Sequence, residues 1–546
     1  MKRFLLPVLA LGVFASLASA QLSRLEGTVT DPQGAAVPGA QIRVTNAQTA
    51  LALDTTSDDR GFWVFSAMPA AVYKVTASST GFKTANLDNV KLEVGVPATL
   101  NIKLEIGQLT ETVEVRGGTE VLQTVTATVS STLVGRQLNE LPFTSRNLTE
   151  LLVTQAGTSV PGIPRNLSIN GLPQSTLNIT MDGINIRDNL NSSADLYTPI
   201  FARADAIEEM NVSTAAQGAD SNAEGAAQVR LVTRRGANDW HGAAFWQHRN
   251  TALNANYYYN NINGLPRERV ILNQAGGLIG GPIVRNKLFF FAHYEAFRFP
   301  QTYRSPTQNH LTAEALSGIF RYRDTANGQI RSINLYQLAA AGNGALAANV
   351  RPFATTPDPV VLSTLNRIAE IAATGGVFTS RADVNDYNRN NYTFQTPGGN
   401  NRDFPTMRLD WNVTPNHQLE FVYNYPKNFR RPDGLNNNIP ILPGTGIVLG
   451  AEAIGGQGGN NFATVVALRS TLSPRLTSEL RFGLTGGTVV FNDGVSPADF
   501  APWGGVAPQF GFATNPYRVT GQSRRNTPVK QAYANFNYTM PKHLLS

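Results

Sequence analysis

From Trp240 onward, apolar and polar side chains alternate in segments of strand length. The clearest segment is 406–425, TMRLDWNVTPNHQLEFVYNY, where Met407 and Trp411 fall on one face and Arg408 on the other, and where the pattern resumes after a turn. A period of two residues is typical of strands with one apolar face. Beyond its amino-terminal region the chain has no run of ~18 apolar residues, the length that indicates a spanning helix. Membrane insertion is therefore predicted to occur as a β-barrel, with lipid outside and water within.

The amino terminus has the layout of a secretory signal. Two basic residues precede the apolar stretch 4–17, and the small residues Ala18 and Ala20 follow it. A charged region, an apolar core and small residues before the cut define a signal peptide. We expect export and cleavage after Ala20, which removes residues 1–20. A transmembrane anchor is less favoured, because a spanning helix needs about 20 apolar residues.

Short alternating runs between Leu25 and Leu104, separated by turn signals such as DPQG and DDRG, predict a small antiparallel β-sandwich. The stretches GTVTDPQGAAVPGAQIRVTN and DDRGFWVFSAMPAAVYKVTASSTGFK resemble the carboxypeptidase regulatory-like domain, a transthyretin-like or Ig-like sandwich often grouped with carbohydrate-binding folds. The resemblance implies such a domain over 22–106, without the zinc peptidase domain. A periplasmic spacer is favoured over sugar binding, because no aromatic platform is evident.

Two hairpin signals mark the middle of the chain. In 166–188, NLSINGLPQSTLNITMDGINIRD, alternating runs end at Asn170-Gly171 and, after Met181, at Asp182-Gly183. Asn-Gly and Asp-Gly are the preferred pairs of two-residue hairpin turns. Leucines in 134–152 predict two short helices, and two further strands are predicted at 206–212 and 227–233. We predict a small α/β domain over 107–238.

This middle segment resembles the plug of TonB-dependent outer-membrane receptors, particularly of the Oar-like branch. The resemblance is carried by ETVEVRG, by the hairpin segment and by IEEMNVSTAAQGADSNAEGAAQVRLVTRRGANDWHGAAFWQHRN, and NQAGGLIGGPIVRNKLFFFAHYEAFR is similar to the Oar-like barrel start. In that family a short strand, the TonB box, pairs with the energy-transducing protein TonB by strand addition. The resemblance assigns this box to Glu111, Thr112, Val113, Glu114 and Val115, for which an unpaired edge is expected. An ordinary linker strand is the alternative.

The resemblance implies a TonB-dependent transporter of the cell outer membrane, with the sandwich in the periplasm and the barrel over 239–546 in lipid. Its partners would be the TonB complex and a ligand; carbohydrate, oligopeptide and siderophore all remain open. The alternative is an adhesion or carbohydrate-binding surface protein that uses the barrel as an anchor. Deleting residues 111–115 separates the two, because uptake would fail in a transporter while surface binding would persist in an adhesin.

The motifs of covalent chemistry are missing. The six histidines include no HExxH pair, GxSxG and GxxxxGK[ST] do not occur, and there is no cysteine. We predict no enzyme, no catalytic residue, no cofactor and no metal site; Asp182 and Asp188 could hold a cation, but a hairpin is the commoner reason for Asp-Gly. The net charge of +7 comes from scattered Lys and Arg, so no nucleic-acid partner is predicted.

Asn- and Gly-rich stretches at 386–402 and 432–461 predict long extracellular loops, where a ligand would be met first. The glycine pairs 276–277 and 280–281 predict a turn and a close approach of strands. A family barrel of about 22 strands of roughly 10 residues leaves too little chain for such loops. We expect a mainly β fold of sandwich, plug and incomplete antiparallel transmembrane barrel, and a chain that is a fragment or an interrupted reading frame.

Overall fold

The chain folds into a β-sandwich, a mixed α/β domain and a long antiparallel sheet, in that order. A computed structural model describes residues 22–107, 112–115, 128–141, 145–160, 167–173, 176–187, 198, 200–215, 227–262, 264–374, 381–383, 386–432, 442, 456–473, 475–492, 501, 503–505, 509–511, 523–540 and 544–545. Four residues with predicted roles, Ala18, Ala20, Glu111 and Asp188, lie outside the described residues.

The sandwich has two sheets around one apolar core. Its strands are β1 (Ser23–Thr30), β2 (Gln41–Asn46), β3 (Ala52–Thr56), β4 (Phe62–Met68), β5 (Ala71–Ser78), β6 (Thr84–Leu92), β7 (Ala98–Thr99), β8 (Ile102–Lys103) and β9 (Thr112–Val115). One sheet has the order β4-β1-β7 with β8 also on β1, and the other has the order β3-β2-β5-β6-β9. Every second residue of β1 is buried, as the alternation predicted. The predicted sandwich is confirmed.

Strand β9 belongs to the sandwich sheet, although it falls in the segment predicted for the plug. It runs parallel to β6, with Thr84 opposite Thr112 and Leu87 opposite Val115. Four of the five residues predicted as a TonB box are therefore an added strand at the end of this sheet. In the described part of the chain β9 pairs only with β6, so its second edge is open.

The α/β domain is built on a five-stranded sheet of order β10-β16-β17-β14-β15. Its elements are β10 (Val129–Val134), α1 (Gly135–Glu140), a 3-10 helix (Leu148–Thr154), β11 (Thr158–Ser159), β12 (Ser168–Ile169), β13 (Leu172–Pro173), β14 (Leu177–Met181), β15 (Ile184–Asn185), β16 (Ile207–Ala215) and β17 (Ala227–Thr233). Every residue of β14 and β17 is buried. Both faces of this sheet are therefore covered by other parts of the chain.

The remaining strands form the sheet of the barrel and an insertion in it. They are β18 (His241–Arg249), β19 (Leu272–Val284), β20 (Leu288–Arg304), β21 (Gln308–Leu311), β22 (Ile319–Arg323), β23 (Ile330–Asn334), β24 (Arg381–Asp383), β25 (Asp386–Tyr392), β26 (Gln395–Thr414), β27 (His417–Asn424), β28 (Lys427–Arg431), β29 (Gly456–Ser473), β30 (Leu476–Asn492), β31 (Ser523–Asn526), β32 (Val529–Thr539) and β33 (Leu544–Leu545). The wall has the antiparallel order β18-β19-β20-β26-β27-β29-β30-β32-β33, with β28 beside β26 and β29 and β31 beside β30. No pairing between β18 and β33 occurs among the described residues, so the sheet is open there.

The two faces of this wall differ as predicted. Met407 and Trp411 are 41% and 46% exposed on the outer face, whereas Arg408 and Glu420 are buried on the inner one. The apolar side chains of the outer face would contact lipid, and the charged side chains of the inner face contact the α/β domain. The predicted hairpin of 406–425 is confirmed as β26 and β27.

A folded insertion joins β20 to β26. Besides β21 to β25 it contains α3 (Ala313–Leu316), α4 (Leu335–Asn343) and α5 (Pro359–Thr374), whereas α2 (Tyr258–Ile262) lies between β18 and β19. Its own apolar core includes Leu365, Ile368, Tyr392 and Phe394. No helix in the described part of the chain is long and apolar enough to cross a membrane.

The loop predicted at 386–402 is wrong. Strand β25 covers its first part, and β26 begins at Gln395. The ladder with β20 continues to the pair Arg304–Gln395, so a long partner strand supplies backbone hydrogen bonds that hold Asn- and Gly-rich sequence extended. In 432–461 the last residues open β29, while 433–441 and 443–455 lie outside the described residues.

The glycine pairs of 276–281 lie within β19 and not in a turn, so that half of the prediction is wrong. The close approach is confirmed: a Cβ at Gly281 would lie 2.7 Å from the Trp240 ring, and one at Gly276 would lie 2.7 Å from the Tyr294 carbonyl oxygen. Glycine is needed here because neighbouring groups occupy the space of a side chain.

Candidate functional site: the plug held inside the barrel wall

The barrel wall wraps around the α/β domain. At one end of the sheet, the Arg146 guanidinium lies 4.1 Å from the centre of the Phe245 ring of β18. Near the other end, Gln531 of β32 bonds the domain's hairpin at Asn185. Val422, Ala463 and Val465 of the wall share one apolar core with the domain. The domain is therefore a plug inside the curved sheet, and the contacts that hold it there are the candidate site.

The turn Asp182-Gly183, between β14 and β15, is the centre of the first contact. Both residues have positive φ, 47° and 75°, as a type I′ hairpin turn requires. The Asp182 carboxylate accepts hydrogen bonds from the Thr233 backbone N–H at 2.9 Å and the Thr233 hydroxyl at 2.5 Å. Contacts within the plug, from neighbouring β17, therefore hold the turn without any help from the barrel.

Side chains from two barrel strands contact this turn, and a carboxylate from a third strand pairs with both of them. Arg408 of β26 donates to Asp182 Oδ1 at 3.3 Å and to Glu420 of β27 at 2.7 Å. Arg481 of β30 donates to the Asp182 carbonyl oxygen and forms an ion pair with Glu420 at 3.5 Å. We name this set, Asp182, Gly183, Arg408, Glu420 and Arg481, the hairpin latch. Its charges alternate in sign and its ionic side chains are buried, so each ion depends on its partners rather than on water.

Shape as well as charge holds the hairpin. A Cβ at Gly183 would lie 2.8 Å from the Arg481 guanidinium, and a Cβ at Gly483 would overlap the Ile184 side chain. Next to them, the Gln531 amide bonds both the N–H and the carbonyl oxygen of Asn185 at 2.8 Å. Glycine on each side lets plug and wall approach closely enough for these bonds to form.

A second contact lies on β20. Glu295 is fully buried and accepts hydrogen bonds from Arg203 and, at 2.6 Å, from the Gln274 amide. Arg146 lies 3.7 Å from the same carboxylate and also pairs with Asp205. We name this set, Arg146, Arg203, Asp205, Gln274 and Glu295, the Glu295 cluster. Two plug arginines share one carboxylate of the wall, which therefore sets the position of both.

The structure brings together some predicted residues and not others. Met181, Asp182 and Gly183 lie at the hairpin latch, whereas Asn170 and Gly171 form a separate turn in which the Asn170 amide donates to the Thr214 carbonyl oxygen at 3.0 Å. The alternation in 406–425 predicts that Arg408 lies on the face opposite Met407 and Trp411, and in the same way that Glu420 of the second strand faces inward, but it does not single out either residue. Arg481, Arg203 and Glu295 were not predicted at all. Charged residues on the water-facing side of predicted strands were the available signal.

The sandwich lies at the short-turn end of the barrel. The Asn238 N–H donates to the Gln48 carbonyl oxygen at 3.0 Å, and Arg235 donates to the Ala70 carbonyl oxygen at 3.0 Å. Asn238 also bonds Asn286, which is in the turn between β19 and β20. The segment from Arg235 to Asn238 therefore contacts both the sandwich and a turn at the mouth of the barrel.

A buried carboxylate lies where plug and sandwich meet. Glu209 accepts a hydrogen bond from the Val94 N–H at 2.7 Å, beside an apolar cluster of Ala70, Val94 and Val232. Burial raises the pKa of Glu209 to about 7, the Val94 hydrogen bond opposes that rise, and the charges of Glu93 and Glu208 add to it. The folded chain therefore holds this proton at pH values where the unfolded chain releases it.

We expect the contribution of Glu209 to the free energy of unfolding to fall as pH rises from about 4.5 to about 7. In this window Glu209 is protonated in the folded state and ionised in the unfolded state, so its contribution to the slope with pH is negative, and above the window both states are ionised and the loss is complete. The shift corresponds to about 3 kcal/mol at 1.36 kcal/mol per pKa unit. Urea titrations at a series of pH values measure it, with Glu209→Gln as the variant that cannot titrate. Parallel pH profiles of the two proteins would contradict the prediction.

The sequence model of a family described as "Outer membrane beta barrel domain" matches residues 232–545, which include every strand of the wall. The chain belongs to this family. A second model, that of the carboxypeptidase regulatory-like domain, matches residues 24–105 in the sandwich. The predicted outer-membrane address, with the sandwich in the periplasm, is confirmed. The prediction that the chain is not an enzyme agrees with membership of a barrel family.

The TonB-dependent transporter Oar of Myxococcus xanthus is 25% identical over 333 residues, which are 56% of this chain and 30% of that protein. Two similar solved structures are a ferric enterobactin receptor of Pseudomonas aeruginosa in complex with enterobactin (12% identity, 76% of this chain, 47% of that chain, TM-score 0.40) and the outer membrane transporter YddB of Escherichia coli (10%, 75%, 44%, 0.42). This chain thus spans less than half the length of each. Among the described residues, no group of three or more His, Asp or Glu could hold a metal ion.

Proposed function

We propose that this chain works in TonB-dependent import of a ligand across the outer membrane. The observation that carries the proposal is the hairpin latch, in which a buried plug turn is joined to β26 by the Asp182–Arg408 ion pair and to β30 by a hydrogen bond from Arg481, while Glu420 of β27 pairs with both arginines. A barrel that serves only as an anchor has no need of a specific, charged contact between wall and plug. A plug that opens and closes does need such a contact. A buried ion pair adds little net stability over apolar packing, but separating its two partners inside the protein costs much free energy, so the contact favours two states, closed or fully released.

Strand β9 is the proposed binding site for TonB. Its four residues end the sandwich sheet, and no strand among the described residues pairs with their second edge, which is the edge that strand addition would use. The plug begins beyond it with β10, so a pull on β9 is transmitted along the chain to the plug. Asn170, Gly171, Met181, Asp182 and Gly183 belong in this proposal to the plug that is rearranged.

Replacing Val113 by Pro is expected to weaken binding of the periplasmic domain of TonB by about tenfold or more. Proline removes a backbone N–H and fixes φ, so it interrupts a strand that must pair on both edges. The measurement is binding of that domain to the full chain in lipid nanodiscs. Val113→Ile is the matched control, since it keeps the backbone donor and a β-branched side chain. Unchanged affinity for V113P would remove residues 111–115 as the TonB box.

An uptake assay distinguishes the proposed transporter from an adhesion protein. Cells that carry the chain, or the chain without residues 111–115, are offered labelled ferric enterobactin, maltodextrin and casein peptides. Under the proposal the deletion abolishes energised accumulation of any probe that binds and leaves surface binding in place. Accumulation that survives the deletion would contradict TonB dependence, and binding with no accumulation by either protein would favour an adhesin.

A further inference from the structure

The insertion between β20 and β26 contains a cavity of about 460 Å³. It lies at the end of the barrel away from the sandwich, because β20 leaves the turn at 285–287, beside the sandwich, and enters the insertion after Arg304. Its walls come from β21, α3, β22 and β25 and from the amino-terminal turns of α4 and α5. The cavity is thus built from a folded unit on the extracellular side.

The lining of the cavity is mainly apolar. It includes Leu311, Leu316, Ile319, Leu335, Val361 and Leu365. The charged groups among the lining residues already have partners within the insertion: Arg389 pairs with Asp386 at 2.8 Å, and Asp358 accepts the N–H groups of Val360 and Val361 at 2.9 and 3.1 Å. A charged group placed inside the cavity would have to break one of these contacts or give up its own hydration without a new partner.

The walls of the cavity are fixed in advance. Asn388 accepts the Arg321 N–H at 2.7 Å and donates to the Arg321 carbonyl oxygen at 2.9 Å, which ties β25 to β22. Asp358 caps the 16 residues of α5, and Leu365 of that helix belongs to the core of the insertion. A preformed apolar cavity binds without the entropic cost of ordering its walls.

We propose that this cavity binds a small, uncharged, largely apolar molecule, of the size of a fused two- or three-ring system. The volume lies within the range of about 300–1,000 Å³ that is usual for small-molecule sites, and it is about three times that of a cavity that holds one benzene. The Asn388 amide oxygen, which has a second lone pair besides the one that accepts the Arg321 N–H, would orient such a molecule by accepting a hydrogen bond. The inference does not depend on transport, because binding requires neither TonB nor an energised membrane.

The test compares three probes with one ring system: neutral 2-naphthol, anionic naphthalene-2-sulfonate and cationic 2-naphthylmethylamine. Each is titrated against the full chain in lipid nanodiscs, with empty nanodiscs as the blank for partition into lipid. We expect one 2-naphthol site per chain and binding of both charged probes that is weaker by about tenfold or more. A charged probe that binds as tightly as the neutral one would overturn the proposed ligand class.

The location is tested with a pair of substitutions on α3. Ala315 lines the cavity, whereas Ala313 is exposed on the same helix and does not. Ala315→Phe fills the cavity and should weaken 2-naphthol binding by about tenfold, while Ala313→Phe should leave it unchanged. Equal binding by both variants would overturn the site.

A photoreactive naphthyl diazirine provides a measurement on the unaltered chain, which matters if Ala315→Phe does not fold. Peptides labelled in 311–320, 357–365 or 386–389 would support the site. Labelling of other peptides alone would overturn it.

Discussion

Replacing Arg408 by methionine should lower the free energy of unfolding by about 3–5 kcal/mol. The substitution keeps the length of the side chain but removes its charge, and it leaves the buried carboxylates of Asp182 and Glu420 without a central partner. The Thr233 carbonyl oxygen loses a donor as well. Urea titration in lipid nanodiscs measures the loss. Hydrogen exchange in peptides that cover 177–187 should show that the hairpin loosens before the wall does.

The matched control is Arg298→Met on β20. Arg298 also pairs with a carboxylate, that of Asp403, but the two side chains are 42% and 28% exposed. Solvent screens such pairs, and the expected cost is about 0–1 kcal/mol. If both variants lost the same free energy, burial would not be what makes Arg408 important, and the hairpin latch would be an ordinary surface contact.

The second large effect is expected for Glu295→Leu, again about 3–5 kcal/mol. Leucine fills similar space, but it leaves Arg203 and Arg146 as buried cations that have lost a shared carboxylate. The same urea titration measures it. The local signature should differ from that of R408M, with faster hydrogen exchange in peptides that cover 200–206 rather than 177–187.

Glu314→Leu provides the comparison on the surface of the insertion. Glu314 pairs with Arg321 at 3.2 Å, and both side chains are largely solvated, so little change is expected. A cost for E295L no greater than for E314L would mean that the Glu295 cluster does not hold the plug. Faster exchange at 177–187 in E295L would mean that the two contacts do not open separately.

Alternation and turn chemistry predicted the elements well but not their partners across domains. The hairpin at Asp182-Gly183 and the inward face of β26 both follow from local sequence. That Asp182 and Arg408 meet does not, because 226 positions separate them and each has a sufficient local explanation. The sequence therefore predicts one part of the candidate site, the turn, but not the arginines that contact it.

The insertion shows a different failure. Composition rich in Asn and Gly predicts a loop at 386–402, yet β20 holds 395–402 extended and β21 and β24 hold β25 extended. In the same insertion, PVVLSTLNRIAEIAAT has apolar residues at helical spacing and forms α5. That signal was present in the sequence. The expectation that long connections in barrels are loops hid a folded unit with its own core.

The parallel pairing of β9 with β6 makes the sandwich a mechanical element. A force along the strand axis loads the four ladder pairs from Thr84–Thr112 to Leu87–Val115 together, in shear, whereas a force across the axis opens them one after another. In the sequence, 13 residues (116–128) separate β9 from β10, so the facing ends of the two strands can be at most about 45 Å apart. Whether a force on β9 reaches the plug would therefore depend on the direction of the force and on the distance over which β9 is displaced, and not only on the size of the force.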